Sequence, residues 1–431
     1  MKKAAYIIRG GRLFDPSWGL DRRGDLLVCE GSIAALGGSI DWPGAEILDA
    51  GGCLVLPGLV DLHVHLRDPG GEQAEDVRSG SRAAAAGGFC TIVCMPNTRP
   101  ALDRPEAVLE LQRRIYQRSA VRVFVAGALS RKLQGKQLTQ FAKLLAAGAV
   151  AISDDGVGTR NPRLLGEALR RAAELDLPVL LHCEERPGLG VMNEGAVAAR
   201  LGLGGMPAAS EYRAVERALE LAAKIPARVH LQHISCAESL RLIRQARRQG
   251  IGVTCEATPH HLFLSEEVIE RRLHGGAPDP RFKVNPPLRQ ASDVEVLRRA
   301  LMDGTVDAIA SDHAPHTARA KGLGFGQAPF GMIGLETSLA LVLRLVEEKV
   351  ISLARAVELL SLGPARILKK EAGLRPGRPA DVTVVDPRAR WTVEPRKMHS
   401  RSRNTPFAGW ALRGRTRLVL VAGRLAWRAA R

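Results

Sequence analysis

Eight short apolar runs recur along the middle of this chain, each followed by an amphipathic stretch rich in Ala and Leu. The runs are LPGLVDLHVHL, FCTIVCMPN, VRVFVAGALS, AVAISDDG, PVLLHCEE, ARVHLQHIS, GVTCEATPHH and DAIASDHAPH. Between them lie helical patterns such as PEAVLELQRRIYQRS, LLGEALRRAAELDL, AESLRLIRQARRQG and ASDVEVLRRALMDG, the last two closed by glycines that stop helices. Regular alternation of strand and helix implies an α/β fold with a parallel sheet. Eight such pairs over about 290 residues match a closed (β/α)8 barrel of the TIM type, with an open doubly wound sheet as the alternative.

The two ends read differently. IIRGGRLF, GDLLVCEGSIAALGG and AEILDAGGCLVL come before the barrel pattern, and DVTVVDP, WTVEP and TRLVLVAGRLAW come after it. Short apolar runs punctuated by Gly and Pro read as strands joined by turns. The expected organisation is a small β-sandwich domain built from both termini, residues 1–54 and 375–431, attached to a barrel of residues 55–374.

In VDLHVHLRDPGG, residues 60–71, Asp61, His63 and His65 occupy every second position. Side chains of a strand alternate between its faces, so these three are expected on one face and Leu62, Val64 and Leu66 on the other. Comparable residues follow the other runs: Asn97 the second, Asp154 and Asp155 the fourth, His182 the fifth, His233 the sixth, His260 and His261 the seventh, and Asp312, His313 and His316 the eighth. Of eleven histidines, only His230, His274 and His399 lie elsewhere. Each alone has a local explanation, a core imidazole bonded to a carbonyl or a turn-forming Asp-Gly. In a barrel, however, the carboxyl ends of all strands meet at one rim, where the chemistry of such folds sits.

Histidines and carboxylates gathered at one rim are the donor set for one or two divalent cations. Such a cation lowers the pKa of bound water toward neutrality, and two of them also polarise the carbonyl under attack. Asp312, beside them, is placed to take a proton and return it to a leaving nitrogen. Hydrolysis of a cyclic amide, or its reversal, is the reaction class that follows.

The formal net charge is +17, with many arginines in the last segment. They interleave with strand-like apolar residues, as in RTRLVLVAGRLAWR, which reads as a solvated sheet face. With 4% aromatic residues no stacking platform for nucleic acid is expected. The seven cysteines form no disulfide or metal framework. No apolar stretch is long enough to cross a bilayer and the first residues carry no secretory pattern, so a cytoplasmic enzyme is expected.

The segments HVHLRDPGG, MPNTRP, LHCEE, EATPHHL, KVNPPLR, ASDHAPH and FGMIGLET, with GRPADVTVVDP and SRNTPFAGW beyond them, closely resemble the bacterial dihydroorotases of the amidohydrolase superfamily. The likeness covers nearly the whole chain. It implies reversible cyclisation of N-carbamoyl-L-aspartate to L-dihydroorotate by metal-activated hydroxide, the third step of pyrimidine (UMP) synthesis, with one or two Zn2+ per chain. It implies His63, His65, Asp155, His182, His233 and Asp312 as metal ligands, with Asp312 also the general base. By the same likeness Arg67, Asn97 and His316 grip the substrate carboxylate, and Asn285 with the backbone at Phe330 and Gly331 holds the ring.

Many relatives bridge two metals with a carboxylated lysine after the fourth strand, whereas AVAISDDG offers Asp155. That places the chain in the branch with aspartate at this position. Other cyclic amidases, dihydropyrimidinases or allantoinases, usually keep the lysine and lack an arginine at the place of Arg67. A scaffold without activity ordinarily loses ligands that are all present here. The resemblance also implies a small-molecule substrate, a homo-oligomer and association with aspartate transcarbamoylase. The glycine-rich TARAKGLGFGQAP, residues 317–329, reads as a surface loop or a lid over the site.

Overall fold

The computed structural model describes residues 5–185, 190–274 and 276–430. All eight apolar runs form strands: Leu59–Val64, Phe89–Cys94, Arg122–Ala128, Ala149–Ser153, Pro178–Leu181, Arg228–Leu231, Val253–Ala257 and Ala308–Ile309. They pair in sequence order, each parallel to the next. The last strand is short, so closure falls to the loop after it: Val64 pairs with His313 and the His65 amide donates to the His313 carbonyl at 2.9 Å. The chain is therefore a closed barrel and not an open sheet.

Helices fill the connections. Val77–Gly87 begins at a reciprocal cap between Asp76 and Ser79 and ends at Gly88, whose φ of 96° suits glycine. In Pro162–Glu174, Leu165, Ala168, Leu169 and Ala172 turn one buried face to the barrel. Strand side chains divide accordingly. Phe124, Ala126, Ala151 and Leu180 belong to the apolar cluster inside the barrel, while Val123, Val125 and Ile152 join the helix layer outside.

The first strand breaks this alternation. Val60 and Leu62 belong to the interior cluster, yet Val64 and Leu66 belong to the helix-side cluster, and pairing with the second strand shifts register between Asp61 and Val64. The expectation that Asp61, His63 and His65 share one face is corrected here. A bulge of one residue reverses the facing of everything beyond it. His63 and His65 thereby enter the barrel mouth, while Asp61 accepts the Ser311 amide of the eighth strand's loop at 3.1 Å.

The terminal strands expected as a sandwich are hydrogen-bonded as a single eight-stranded sheet, in which Leu54–Pro57 joins Tyr6–Asp15 to Val382–Thr392. Phe14, Leu54, Leu56, Val385 and Val419 belong to the barrel's own helix-side core, so sheet and barrel share one interior. In Ala411–Val421, exposed Arg413, Arg415 and Arg417 alternate with buried Leu412, Gly414 and Thr416, the solvated face expected. Every described cysteine is free. No helix among the described residues is long and apolar enough to cross a membrane.

Candidate metal centre

The imidazoles and carboxylates of the rim converge. His63 Nε2 lies 3.1 Å from Asp155 Oδ1, and His65 Nε2 lies 3.2 Å from Asp312 Oδ1. Across the mouth, His182 Nδ1 lies 2.8 Å from His233 Nε2 and 3.6 Å from Asp155 Oδ1. Two sets of donor atoms result, His63, His65 and Asp155, and Asp155, His182 and His233, each within 4.8 Å of one another. Asp155 belongs to both. Asp312 reaches the first set through His65 and, at 3.6 Å, through His63.

Three of the four rings are held from behind by the other nitrogen, whereas the buried Nδ1 of His233 has no hydrogen-bond partner among the described residues. His63 Nδ1 donates to Glu256 Oε1 at 3.1 Å; Gln232 Nε2 lies equally near, but it is itself a donor, and the ionised carboxylate is the group that can accept from Nδ1 and fix its proton. His65 Nδ1 donates to the Asn97 amide oxygen at 2.8 Å, and His182 Nε2 to Glu184 Oε2 at 2.8 Å. The remaining nitrogens thus present lone pairs to the mouth. Buried His63 Nε2 makes no well-aligned hydrogen bond among the described residues, although Asp155 Oδ1 stands 3.1 Å away. Buried nitrogens without a partner are rare, and a ring oriented from behind with its lone pair open is how proteins present imidazole to a metal. The residues therefore fit a divalent cation.

The electrostatics agree. Burial disfavours protonation of His63, but Asp155 and Asp312 outweigh it and hold its pKa well above the ordinary value. His182, though buried, is lifted to about 10 by Asp155 and Glu184. Burial opposes ionisation of Asp155 and Asp312, yet the surrounding histidines keep both carboxyls below their usual range. A field that attracts protons to buried imidazoles attracts a divalent cation more strongly, and cation binding displaces those protons.

The backbone is bent to serve this convergence. His233, Asp312 and Arg67 all have positive φ, 35°, 44° and 56°, a conformation that non-glycine residues seldom adopt and that clusters at functional sites. Glu211, buried on helix Ala209–Ala222, accepts the Ser235 and Cys236 amides at 3.0 and 3.1 Å and so holds the turn after His233. Asp61 does the same for the eighth strand, accepting the Ser311 and His63 amides. Burial pushes its carboxyl up to about 6.

Above the metal ligands is a cavity of about 300 Å³ whose wall includes Arg67, Asn97, Asn285, His316, Phe330 and Gly331. His316 Nε2 lies 2.7 Å from the Phe330 carbonyl, which makes it a donor; burial lowers its pKa to about 3, so the ring is neutral. The Arg67 Nη2, 3.3 Å away, then has no acceptor there, and among the described residues only Nε is engaged, on the Pro315 carbonyl at 3.1 Å. A guanidinium with its terminal nitrogens open is a two-pronged receptor for carboxylate.

Asn97 was expected on the carboxylate. It lines the cavity, but its amide already spans His65 and, by Nδ2 at 2.9 Å, Asp155 Oδ2. Asn285, expected on the ring, donates to Glu184 at 2.9 Å. His260 and His261, noted at the same rim, stand apart from both donor sets: His261 bonds Thr258 and the Pro286 carbonyl, and neither ring nitrogen of buried His260 has a partner. Segment 317–329 folds as two short helices, Ala318–Lys321 and Gly324–Gln327, fastened by Lys321 Nζ to the carbonyls of Pro280 and Pro329 at 2.8 Å.

Sequence reasoning passed over Glu256, Glu184, Glu211 and Asn404. Asn404 lies in the SRNTPF motif; its side chain donates to the Ala314 and Gly331 carbonyls at 3.2 and 3.0 Å and accepts the His316 amide at 3.1 Å. Glu256 stood out only as a carboxylate in the apolar run GVTCEA, and Glu184 only as a neighbour of His182 in LHCEE; Glu211 and Asn404 lie in polar stretches that name no partner.

A family model described as Dihydro-orotase-like matches residues 52–239. The dihydroorotase of Syntrophotalea carbinolica is 44% identical over 425 residues, spanning 98% of this chain and 99% of that protein. That of Geobacter metallireducens is 43% identical over 426 residues, with the same coverage. Among solved structures, the L-hydantoinase (dihydropyrimidinase) of Arthrobacter aurescens superposes with a TM-score of 0.88 at 28% identity, over 99% of this chain and 96% of that one. The dihydropyrimidinase of Brevibacillus agri, at 24% identity and a TM-score of 0.85 over 98% of this chain and 95% of that one, supports the fold alone.

Proposed function

The chain belongs to the dihydroorotase family, and from that premise we propose the role of each residue at the barrel mouth. The reaction is the reversible cyclisation of N-carbamoyl-L-aspartate to L-dihydroorotate in pyrimidine biosynthesis, and the enzyme is a cyclic amide hydrolase with a metal cofactor. We assign the cofactor as Zn2+, one or two ions, because borderline imidazole and carboxylate donors suit it. Its ligands are His63, His65, Asp155, His182, His233 and Asp312. Bound there, the ion lowers the pKa of water toward neutrality and polarises the amide carbonyl.

Asp312 is the catalytic acid–base. Its carboxyl is held ionised by the histidines around it, so in ring opening it accepts a proton at Oδ and returns it to the departing ring nitrogen. Arg67 meets the substrate carboxylate with its two open terminal nitrogens. Asn97 completes that grip with the one amide hydrogen left after Asp155, and His316, neutral, joins it by turning its single N–H, at Nε2, from the Phe330 carbonyl to the substrate carboxylate. Asn285 and the backbone of Phe330 and Gly331 hold the ring, with Lys283 Nζ 4.6 Å from the Phe330 ring centre to keep that wall in place.

The single observation that supports this reading best is Asp155, common to both donor sets and standing where a bridging group is required. The likeness to a hydantoinase favours a second reading, cyclic amidase action on another ring. Arg67 counts against it, because hydantoin and allantoin bring no carboxylate to a buried guanidinium. One experiment separates the two: metal analysis of the purified protein with a ring-opening assay on dihydroorotate, hydantoin and allantoin. Turnover of dihydroorotate with bound zinc is the expected result; opening of hydantoin or allantoin but not dihydroorotate overturns the assignment.

We propose a terminal β unit of 1–57 and 375–431 and a catalytic barrel of 58–374, the expected boundary at 54 shifting because strand Leu54–Pro57 pairs with Tyr6–Asp15 and Val382–Thr392, and further propose a homo-oligomer that associates with aspartate transcarbamoylase in the cytoplasm. Gel filtration of the protein alone and mixed with that enzyme tests both associations.

A further inference from the structure

A second cavity, of about 340 Å³, adjoins the catalytic one. The two share Arg67, Asn97, His316 and Pro329 in their walls, so Arg67 stands between an inner and an outer chamber. The outer chamber is built by two segments that meet the site from opposite sides. On one side the turn after Arg67 folds back: the Gly71 amide donates to the Arg67 carbonyl at 2.7 Å and the Arg99 amide to the Pro69 carbonyl at 2.9 Å. A Cβ on Gly70 would meet the Arg99 carbonyl at 2.0 Å, so only glycine lets that turn seat against Arg99. On the other side Thr317 caps the short helix Ala318–Lys321.

The charge of this chamber has one sign. Its wall contains Arg67 and Arg99 and no carboxylate. The acids of the adjoining turn are paired: Arg114 Nη1 donates to Asp68 Oδ1 at 2.6 Å and to Glu72 Oε1 at 3.1 Å, and Glu72 Oε2 accepts the Gly70 amide at 3.0 Å. Arg99 is exposed, and among the described residues its guanidinium has no hydrogen-bond or ion-pair partner. Gln73, Thr98 and Thr317 supply neutral polar groups around it. An uncompensated cation at the mouth of a low-dielectric cleft concentrates anions and speeds their entry.

We propose that the outer chamber is an anion-capture subsite for small dicarboxylates, with Arg99 as its binding residue, through which substrate passes before it is handed to Arg67. This deepens the dihydroorotase reading and rests on it for the identity of the anion. An open-chain substrate with two carboxylates is drawn by Arg99 in the outer chamber and gripped by Arg67 in the inner one.

The test uses the full-length, metal-loaded protein and its Arg99→Ala, Arg99→Lys and Arg99→Glu variants. Equilibrium binding of succinate is measured by calorimetry, and kcat and KM for N-carbamoyl-L-aspartate, in the cyclising direction, are measured across a salt series. Arg99→Ala is expected to weaken succinate binding and to lower kcat/KM by about threefold to tenfold at low salt, through KM and not kcat. Arg99→Glu loses more, Arg99→Lys restores the wild-type values, and the differences close by roughly 0.5 M salt as screening sets in. Succinate affinity and kcat/KM of Arg99→Glu equal to wild type at low salt overturn the subsite, as does a loss that persists in high salt or falls on kcat. Should the wild type fail to cyclise N-carbamoyl-L-aspartate, the functional reading falls, while the succinate measurement still decides the subsite by itself.

Discussion

At the scale of single residues the site depends on groups that never touch substrate. Glu256 is fully buried between His63 Nδ1 and His230 Nε2, at 3.1 and 3.0 Å, and despite burial these two imidazoles lower its carboxyl to about 2. It therefore remains an anion that fixes the proton on the far side of His63 and aims Nε2 at Asp155. Replacing Glu256 with Gln keeps the shape but removes the charge, and metal retention is expected to weaken by about 10- to 100-fold. Competition with a chromophoric chelator measures this directly, without reference to turnover; unchanged retention contradicts the role.

At the scale of elements, two segments lock the loops that carry the chemistry. The stretch 399–405 crosses from the terminal sheet to the barrel mouth, where Ser400 and the Arg401 amide bond buried Glu75, which also accepts from His313. Asn404 completes the lock by satisfying the carbonyls of Ala314 and Gly331. Asn404→Ala leaves both buried carbonyls unpaired at a cost of about 1–3 kcal/mol each, and the substrate wall is expected to slacken. The outcome is a raised KM with bound metal unchanged, read from steady-state kinetics alongside metal analysis. The second lock is Glu211, buried with Arg289 at 3.3 Å. Burial opposes its ionisation, but Arg289 and the Ser235 and Cys236 amides prevail and bring its pKa from 4.5 to about 2. A folded-state pKa below the unfolded one means that the unfolded chain binds the extra proton between these values. The stabilisation is full above about pH 4.5 and is lost as pH falls toward 2. Urea midpoints of wild type and Glu211→Gln should differ clearly near neutrality, draw together below about pH 4.5 and converge only near pH 2; a constant gap refutes the mechanism.

For the whole molecule, barrel and terminal sheet are one folding unit, because Leu54, Leu56, Val385 and Val419 complete the same apolar core as Leu59, Phe89 and Leu335. A fragment of residues 58–374 exposes that face, and it is expected to show no cooperative thermal transition by near-ultraviolet circular dichroism. A native-like, cooperative transition would show that the barrel stands alone. The barrel itself was legible in the chain because eight apolar runs at regular spacing admit few closed arrangements, and the rim followed because strand ends of a barrel must meet. Among the polar residues of that rim it was the likeness to dihydroorotases, and not the barrel pattern, that singled out His63, His65, Asp155, His182, His233 and Asp312. The bulge between Asp61 and Val64 was not legible, since an alternating pattern is silent about a one-residue shift in pairing. Nor were Glu256 and Asn404, whose partners lie 193 and 73 residues away; Glu184 stands two residues from the His182 it holds, yet the pair Glu184-Glu185 does not tell which acid turns to that ring. Periodicity and residue type record which face a side chain turns and what it can bind. Which distant group holds it from behind, and which cavities open beside it, is decided only when the chain closes on itself, because those contacts depend on distances that no local pattern carries.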